Sequence, residues 1–278
     1  MAHNKLYTHK DVTAISAEMK RLIIEMSYNS QSGESGSALC ISDILAVLYF
    51  RILHIDPKKP DHPNRDRFIL SKGHGGAALY SALALRGFFP KSDLKKYRVD
   101  NGIFHLHPCS FAAKGIEVST GSLGHGLSIG AGVALSIRET HPDRKVFVLM
   151  GDGECNEGSI WEAAMFTSTH KLNNVVAIID ENKFQGFGET KKVHTMDLVK
   201  KWSAFGWDVF RSSGHDIKEL EQIITEAIYT DRPAIVLADT VSGKGVPKIE
   251  NTLLAHYFVP DKETYIESQK MTRKKHAK

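Results

Sequence analysis

Two side chains that carry oxygen ligands stand at the ends of two apolar runs in the middle of the sequence. Asp152, within Gly-Asp-Gly, follows the run 145–150, and Asn182 follows the run 175–180. A carboxylate and an amide oxygen suit Mg²⁺, which completes such a partial set with phosphate oxygens and water. Neighbouring glycines let the backbone approach a diphosphate closely: Gly151, Gly153 and Gly158. Taken singly, Gly-Asp-Gly is typical of a turn and Asn182 of a cap, but their spacing favours a joint site.

The spacing of these two side chains is that of one strand–helix–strand unit. Continuous apolar runs predict strands that are buried on both faces, parallel and near each other. Their carboxyl ends then meet at the sheet edge where open parallel sheets bind ligands. Further strands are predicted at 207–210 and 234–238, and helices at 11–29, 43–53, 77–85, 121–137, 159–170 and 217–228. The pattern predicts an α/β fold with a doubly wound, mostly parallel sheet and helices on both faces.

The composition is that of a globular protein from a reducing compartment. The chain has 278 residues, of which 42% are hydrophobic and 24% are charged, and no linker divides it. We therefore expect one domain over 1–278, with a core of about 11–258 and a basic tail of 265–278. Three widely spaced cysteines argue against a disulfide framework or a zinc site, and they favour the cytoplasm: Cys40, Cys109 and Cys155.

The same composition argues against nucleic acid and membranes as partners. Much of the net charge of +4 comes from the tail, which lacks interleaved aromatic residues. Residues 1–10 are polar and lack the apolar core of a signal peptide. The most apolar stretch, 41–55, is interrupted by Asp43 and Arg51 and predicts a buried helix, because it is too short to span a bilayer.

Longer segments around the two oxygen ligands resemble the N-terminal domain of transketolases, which binds thiamine diphosphate. Gly-Asp-Gly, then Asn-Glu-Gly and Asp-Glu-Asn at 180–182, are similar to the thiamine diphosphate motif. Two extended segments, 64–74 (Asn-Arg-Asp-Arg-Phe-Ile-Leu-Ser-Lys-Gly-His) and 115–124 (Gly-Ile-Glu-Val-Ser-Thr-Gly-Ser-Leu-Gly), resemble family signatures and are far more specific. The resemblance covers about 11–258. It implies thiamine diphosphate and Mg²⁺ as cofactors, and transfer of a two-carbon ketol unit between sugars or sugar phosphates.

Matching the sequence to the family's motifs, residue by residue, implies a set of site residues. The metal would be held by Asp152, Asn182 and the carbonyl of Phe184. The cofactor would be contacted by His74, Gly121, Ser122, Leu123, Gly153, Glu154, Asn182, Lys244 and His256. The catalytic group would contain His107 near the substrate hydroxyls, Glu34 facing the donor, and Glu157 and Glu162 at the subunit interface that links two active sites. A solvated loop lysine is an equally natural interpretation of Lys244.

The resemblance also implies that catalysis needs a second chain. In the family, a carboxylate on the aminopyrimidine ring promotes the imino tautomer that deprotonates the thiazolium carbon. That carboxylate belongs to a pyrimidine-binding domain, and we expect no room for such a domain after residue 260. The implied partner is the C-terminal, pyrimidine-binding subunit of a split transketolase, and two copies of each subunit would form an α2β2 heterotetramer.

Two positions depart from the family's pattern. Glu34 stands where a Ser-Gly-His-Xaa-Gly loop has a histidine facing the donor substrate, and His125 replaces a glutamine. Glutamate accepts hydrogen bonds where imidazole can donate them, so the standard sugar-phosphate donor is in question. Two alternatives stay open. One is another thiamine diphosphate enzyme, such as a 2-oxoacid dehydrogenase component or a deoxyxylulose-phosphate-type synthase. The other is a non-catalytic scaffold that retained the fold.

Overall fold

A five-stranded parallel sheet forms the centre of the protein in the computed structural model, which describes residues 7–194 and 197–271. Its strands are β1 (Arg67–Leu70), β2 (Val146–Gly151), β3 (Val175–Glu181), β6 (Asp208–Ser213) and β7 (Ala234–Asp239). They lie in the order β1-β2-β3-β7-β6, and every neighbouring pair is parallel. A small antiparallel hairpin, β4 (Phe184–Gln185) and β5 (Gly188–Glu189), follows β3. The predicted α/β class is confirmed.

Both faces of the sheet are buried, because alternate side chains of each central strand enter different cores. Phe147 and Leu149 point into one core, whereas Val146 and Val148 point into the other. The first core contains residues of α1 (His9–Asn29), α3 (Ser42–Val47), α4 (Gly76–Arg86) and α9 (Ile217–Ile228). The second contains residues of α5 (Gly126–Ile137), α6 (Gly158–Thr169) and α8 (Leu198–Ala204). Continuous apolar strands are the expected sequence pattern for such a layered fold.

Short helices complete the chain and carry several loops toward the carboxyl edge of the sheet. They are α2 (Ser35–Leu39), α7 (Thr190–Val193), α10 (Leu254–Tyr257) and α11 (Lys262–Ser268). Single turns of 3₁₀ helix occur at Gly73–Gly75 and Gly153–Asn156, and a longer one occurs at Lys91–Lys96. Part of the predicted basic tail lies in α11, and residues 272–278 lie outside the described part of the chain.

Two predicted helices differ from the observed ones. The helix predicted from residue 121 begins only at Gly126, because Gly121 and Gly124 adopt φ angles of +143° and +83°, outside the helical region. The predicted helix 43–53 is α3 followed by a π-helical turn at Leu48–Ile52. The wider segment Ser35–Ile52 is long and apolar enough for a membrane span, with a mean hydropathy of 1.4, but 89% of it is buried inside the fold. It therefore serves as a core segment.

Candidate active site

Asp152 and Asn182 lie side by side at the carboxyl edge of the sheet, because β2 and β3 are direct neighbours and Gly151 pairs with Asp180. The Asp152 carboxylate accepts hydrogen bonds from the backbone N–H groups of Gly153 at 2.8 Å and Lys183 at 3.0 Å. It also accepts one from the Thr190 hydroxyl at 2.9 Å. Burial, together with the charge of Asp180, raises the pKa of Asp152 to about 6. A buried carboxylate held only by neutral donors is a favourable site for a cation.

The side-chain amide of Asn182 has a defined orientation. Its Nδ2 donates to Oδ2 of Asp180 at 2.8 Å, and its Oδ1 accepts from the backbone N–H of Phe184 at 2.9 Å. The reverse orientation would set the amide oxygen against a carboxylate and the NH₂ group against an N–H group, so only one orientation is satisfied. Asn182 therefore keeps one lone pair of Oδ1 available for a ligand.

Three predicted histidines line the cleft in front of these residues. The rings of His74 and His256 have centroids 5.9 Å apart. Burial, reinforced by Lys72 and His256, lowers the pKa of His74 to about 3, so His74 is neutral at physiological pH. His107 packs against Gly121, where an added Cβ would lie 2.9 Å from His107 Nδ1. The topology thus brings together residues that are far apart in the sequence.

The surroundings of Asp152 and of the predicted histidines have features that suit a diphosphate cofactor and its metal. A cavity of about 470 Å³ opens beside Asp152; its lining includes Phe184, Thr190 and Asn251 but neither the three histidines nor the loop 121–124. Glycines let two backbone segments approach closely here, because a Cβ on Gly73 would lie only 2.7 Å from the backbone nitrogen of Gly121. Two buried oxygens in this region, Thr120 Oγ1 and Glu34 Oε2, have no hydrogen-bond partner among the residues that the structure describes. Buried polar atoms are normally satisfied, so these atoms indicate a place for a ligand. The oxygen donors and the cradle fit thiamine diphosphate with Mg²⁺.

Sequence reasoning missed a buried ion pair directly behind the predicted metal ligands. The ammonium of Lys72 contacts the carboxylate of Asp180, and the side chains of both residues are at most 1% exposed. Burial alone would raise the pKa of Asp180, but Lys72, Thr240 and Cys40 together hold it below its usual value. Lys72 lies two residues after β1 and Asp180 lies within β3, and both belong to the segments 64–74 and 180–182 that resemble the family's motifs. Their burial as a pair was not visible there, because the residues are 108 positions apart.

Four predicted cofactor contacts have distinct surroundings. Glu154 is 2% exposed, and its carboxylate accepts hydrogen bonds from the N–H groups of Gly124 and Gly151 and from the Ser71 hydroxyl. Its side chain thus secures the loop before α5, and any cofactor contact must come from its backbone. Ser122 is exposed on that loop, and Leu123 is half-buried, with its carbonyl accepting from His125 Nδ1 at 3.0 Å. Lys244 lies 3.9 Å from Glu250 on a partly exposed loop.

Glu157 and Glu162 lie away from the cleft floor. Glu157 precedes α6 as its N-terminal capping position, and both glutamates are exposed. Met165 and Phe166, one turn after Glu162, are 51% and 39% exposed. Residues three and four apart share one face of a helix, so this face carries exposed apolar side chains next to Glu162.

Glu34 is partly buried near His107 and Lys72. It adopts a left-handed backbone conformation (φ +67°) just before α2. Burial raises the pKa of Glu34, while the charges of His107, Arg98 and Lys72 oppose the rise. Left-handed conformations at residues other than glycine cost energy and concentrate at functional sites.

The sheet edge, the Asp152–Asn182 pair and the glycine-lined cleft define a domain that binds a diphosphate cofactor. The family model "Transketolase, thiamine diphosphate binding domain" matches residues 12–272, and the chain belongs to the transketolase family. It is a thiamine diphosphate-dependent transferase of the transketolase type, in the form of one subunit of a split enzyme.

The relatives and solved structures differ in how much of their length this chain spans. It is 39% identical over 255 residues to a subunit of apulose-4-phosphate transketolase from Phocaeicola vulgatus, covering 91% of this chain and 90% of that one. It is 39% identical over 240 residues to a subunit of 6-deoxy-6-sulfo-D-fructose transketolase from a Clostridium species, covering 86% and 87%. The crystal structure of transketolase from Campylobacter jejuni superposes with a TM-score of 0.87 at 30% identity, and the match covers 94% of this chain but only 43% of that one.

Proposed function

We propose that this chain forms a two-chain transketolase with a second, pyrimidine-binding subunit. The share of each relative that it covers carries the proposal. The chain spans 90% of a relative named as one subunit of a transketolase, yet only 43% of a full-length transketolase. The carboxylate that acts on the aminopyrimidine ring would come from the partner. The other two hypotheses, a different thiamine enzyme and a non-catalytic scaffold, have no comparable support.

We assign the site residues to the cofactor as follows. Asp152, Asn182 and the Phe184 carbonyl would bind Mg²⁺, which in turn would hold the diphosphate. His74, Gly153, His256 and Lys244 would contact the diphosphate, and the loop 121–124 would contact the aminopyrimidine. When bound, thiamine diphosphate supplies the nucleophilic carbon that accepts the two-carbon unit. His107 would orient substrate hydroxyls by hydrogen bonding, and the neutral His74 can donate to a phosphate oxygen without desolvating a charge.

The donor is proposed to be an unusual ketose. The names of two relatives specify apulose 4-phosphate and 6-deoxy-6-sulfo-D-fructose, neither of which is a common pentose phosphate. In this chain, the partly buried Glu34 would face the donor, and its Oε2 has no hydrogen-bond partner within the described part of the chain. A carboxylate there would accept hydrogen bonds from the donor and disfavour an anionic group nearby.

The assembly is proposed to be an α2β2 heterotetramer in the cytoplasm. The exposed face of α6 around Glu162, Met165 and Phe166 would contact the neighbouring subunit. Apolar side chains on an exposed helix face of a globular domain commonly mark an interface. The buried core and three free cysteines suit a reducing compartment.

The proposal is tested by reconstitution with the C-terminal transketolase subunit from the same genome. The purified chain should have negligible ketol-transfer activity with any ketose donor. Activity should appear when the partner is added and should saturate near a one-to-one ratio. Full turnover by the chain alone, freed of the partner, would exclude a two-chain enzyme.

A further inference from the structure

The Lys72–Asp180 pair is buried at the point where four segments meet. Lys72 follows β1 and Asp180 ends the apolar part of β3. Besides Lys72, Oδ2 of Asp180 accepts from Asn182 Nδ2 at 2.8 Å and from Cys40 Sγ at 3.1 Å, while Oδ1 accepts from the Thr240 hydroxyl. The Lys72 ammonium also donates to the Ser37 carbonyl at 3.2 Å. Each polar side-chain atom of Lys72 and Asp180 therefore has a hydrogen-bond partner.

A buried ion pair is weak as a source of stability, because the cost of desolvating two charges is comparable to their attraction. Its presence here needs another reason. Asp180 is the acceptor that holds the amide of Asn182, and Asn182 Oδ1 faces the N–H of Phe184. Asp180 as acceptor and the Phe184 N–H as donor together hold the NH₂ group toward Asp180 and the oxygen toward Phe184.

We propose that the Lys72–Asp180 pair is a positioning device that fixes the Asn182 amide with its oxygen toward the metal site. Asp180 provides the acceptor, and Lys72 is the side chain that pairs with it at a fully buried position. Neither residue needs to touch the metal or the cofactor. The inference rests on the proposed metal role of Asn182 and extends it to two residues behind the site.

The test compares two double variants that both remove the buried charges. Lys72→Met with Asp180→Asn retains an amide oxygen that can accept from Asn182, while its NH₂ group can donate to the Thr240 hydroxyl. Lys72→Met with Asp180→Leu removes the acceptor. Replacing a buried pair with uncharged groups of similar volume is commonly tolerated. Lys72→Met with Asp180→Ala serves as a second acceptor-free variant if the leucine form does not fold.

The measurement is calorimetric titration of Mg²⁺, at saturating thiamine diphosphate, into the complex with the partner subunit. The asparagine form should bind Mg²⁺ within about threefold of the wild type, whereas the acceptor-free form should bind it about 10- to 100-fold more weakly, as is typical when a residue supporting a metal ligand is lost. Hydrogen exchange of the Asn182 side-chain amide, followed by NMR, should be faster only in the acceptor-free form.

A matched control removes another largely buried pair, Lys20–Asp43, whose hydrogen bonds within the described residues go to neither Asn182 nor Asp180. Asp43 pairs with Lys20 at 2.8 Å and also bonds to Ser16 and His215. Lys20→Met with Asp43→Asn should lower the thermal midpoint and leave Mg²⁺ affinity unchanged. Equal Mg²⁺ affinity in the asparagine and acceptor-free forms would overturn the positioning role. If the wild-type complex binds thiamine diphosphate without any need for Mg²⁺, the proposed metal site itself fails.

Discussion

Asp152 and Asp66 are buried carboxylates at opposite edges of the same sheet, and they offer a matched test of the metal site. Each accepts backbone N–H bonds on both oxygens: Asp152 from Gly153 and Lys183, and Asp66 from Lys145 and His54. Asparagine at either position sets an NH₂ group against a backbone N–H, so the structural damage is similar. We expect Asp152→Asn to weaken Mg²⁺-dependent cofactor binding about 100-fold or more, because a charged ligand is lost.

The measurement is calorimetry on the complex, with thermal unfolding as a check of folding. Asp66→Asn should lower stability by a similar amount and leave cofactor affinity at the wild-type value. If both variants bind the cofactor equally well, Asp152 is not a metal ligand.

Glu34 is the residue at which donor choice is expected to change. Glu34→His introduces the side chain that the family resemblance implies at this position, and it removes a buried acceptor that has no partner among the described residues. The ratio of kcat/KM for xylulose 5-phosphate to that for the native donor should rise by about tenfold or more, because an unmatched buried polar group discriminates strongly. The native donor is found by screening the assembled complex.

The control variant places a histidine at a solvent-exposed position of the same loop. Gln31 is exposed, and like Glu34 it has a positive φ angle (+49°), so Gln31→His tests the loop without entering the cleft. An unchanged donor ratio in Glu34→His, or an equal change in Gln31→His, would remove Glu34 as the specificity determinant.

At this scale, the sequence predicted which residues reach the sheet edge but not how their atoms are used. Asp152 and Asn182 were found because each follows an apolar strand. The inward turn of the Glu154 carboxylate and the pairing of Lys72 with Asp180 depend on contacts between distant segments. Alternation and motif spacing carry no information about such contacts.

Among the helices, α5 contains two glycines whose substitution should have opposite effects. A Cβ on Gly130 would lie 2.6 Å from Cγ2 of Val148 in β2, whereas Gly132 has open space around it. Gly130→Ala should destabilise the fold by about 1–3 kcal/mol through overpacking. Gly132→Ala should stabilise it by about 0.5–1 kcal/mol, because alanine favours the helix. Urea unfolding measures both, and a loss of stability in Gly132→Ala would contradict the described packing of α5.

Strands and long helices were predictable because their apolar periodicity extends over many residues. The sequence placed β2, β3 and the helix between them within a residue or two. It placed the start of α5 five residues early, since glycine-rich segments are apolar enough to continue a helical pattern while adopting positive φ angles. The hairpin of β4 and β5 was not predicted, because two-residue strands have no detectable alternation.

For the whole molecule, the layered fold and the coverage of its relatives support the proposal that this chain holds the cofactor's diphosphate and that a partner completes the site. The predicted metal ligands Asp152 and Asn182 lie at the carboxyl edge of the sheet, directly after β2 and β3. The helix that follows Asp152 in the chain, α6, carries exposed apolar residues. The chain covers 90% of a relative named as a transketolase subunit but only 43% of a full-length transketolase, which agrees with a site shared between two chains.

The most direct test is to measure thiamine diphosphate binding to the chain, with and without Mg²⁺ and the partner subunit. We expect tight binding of one cofactor per pair of chains when all components are present. Chelation of Mg²⁺ should abolish this binding, and the chain alone should bind the cofactor weakly. A complex that forms from both subunits but binds thiamine diphosphate no better than it binds thiamine would contradict the assignment of this chain as the diphosphate-binding half of the enzyme.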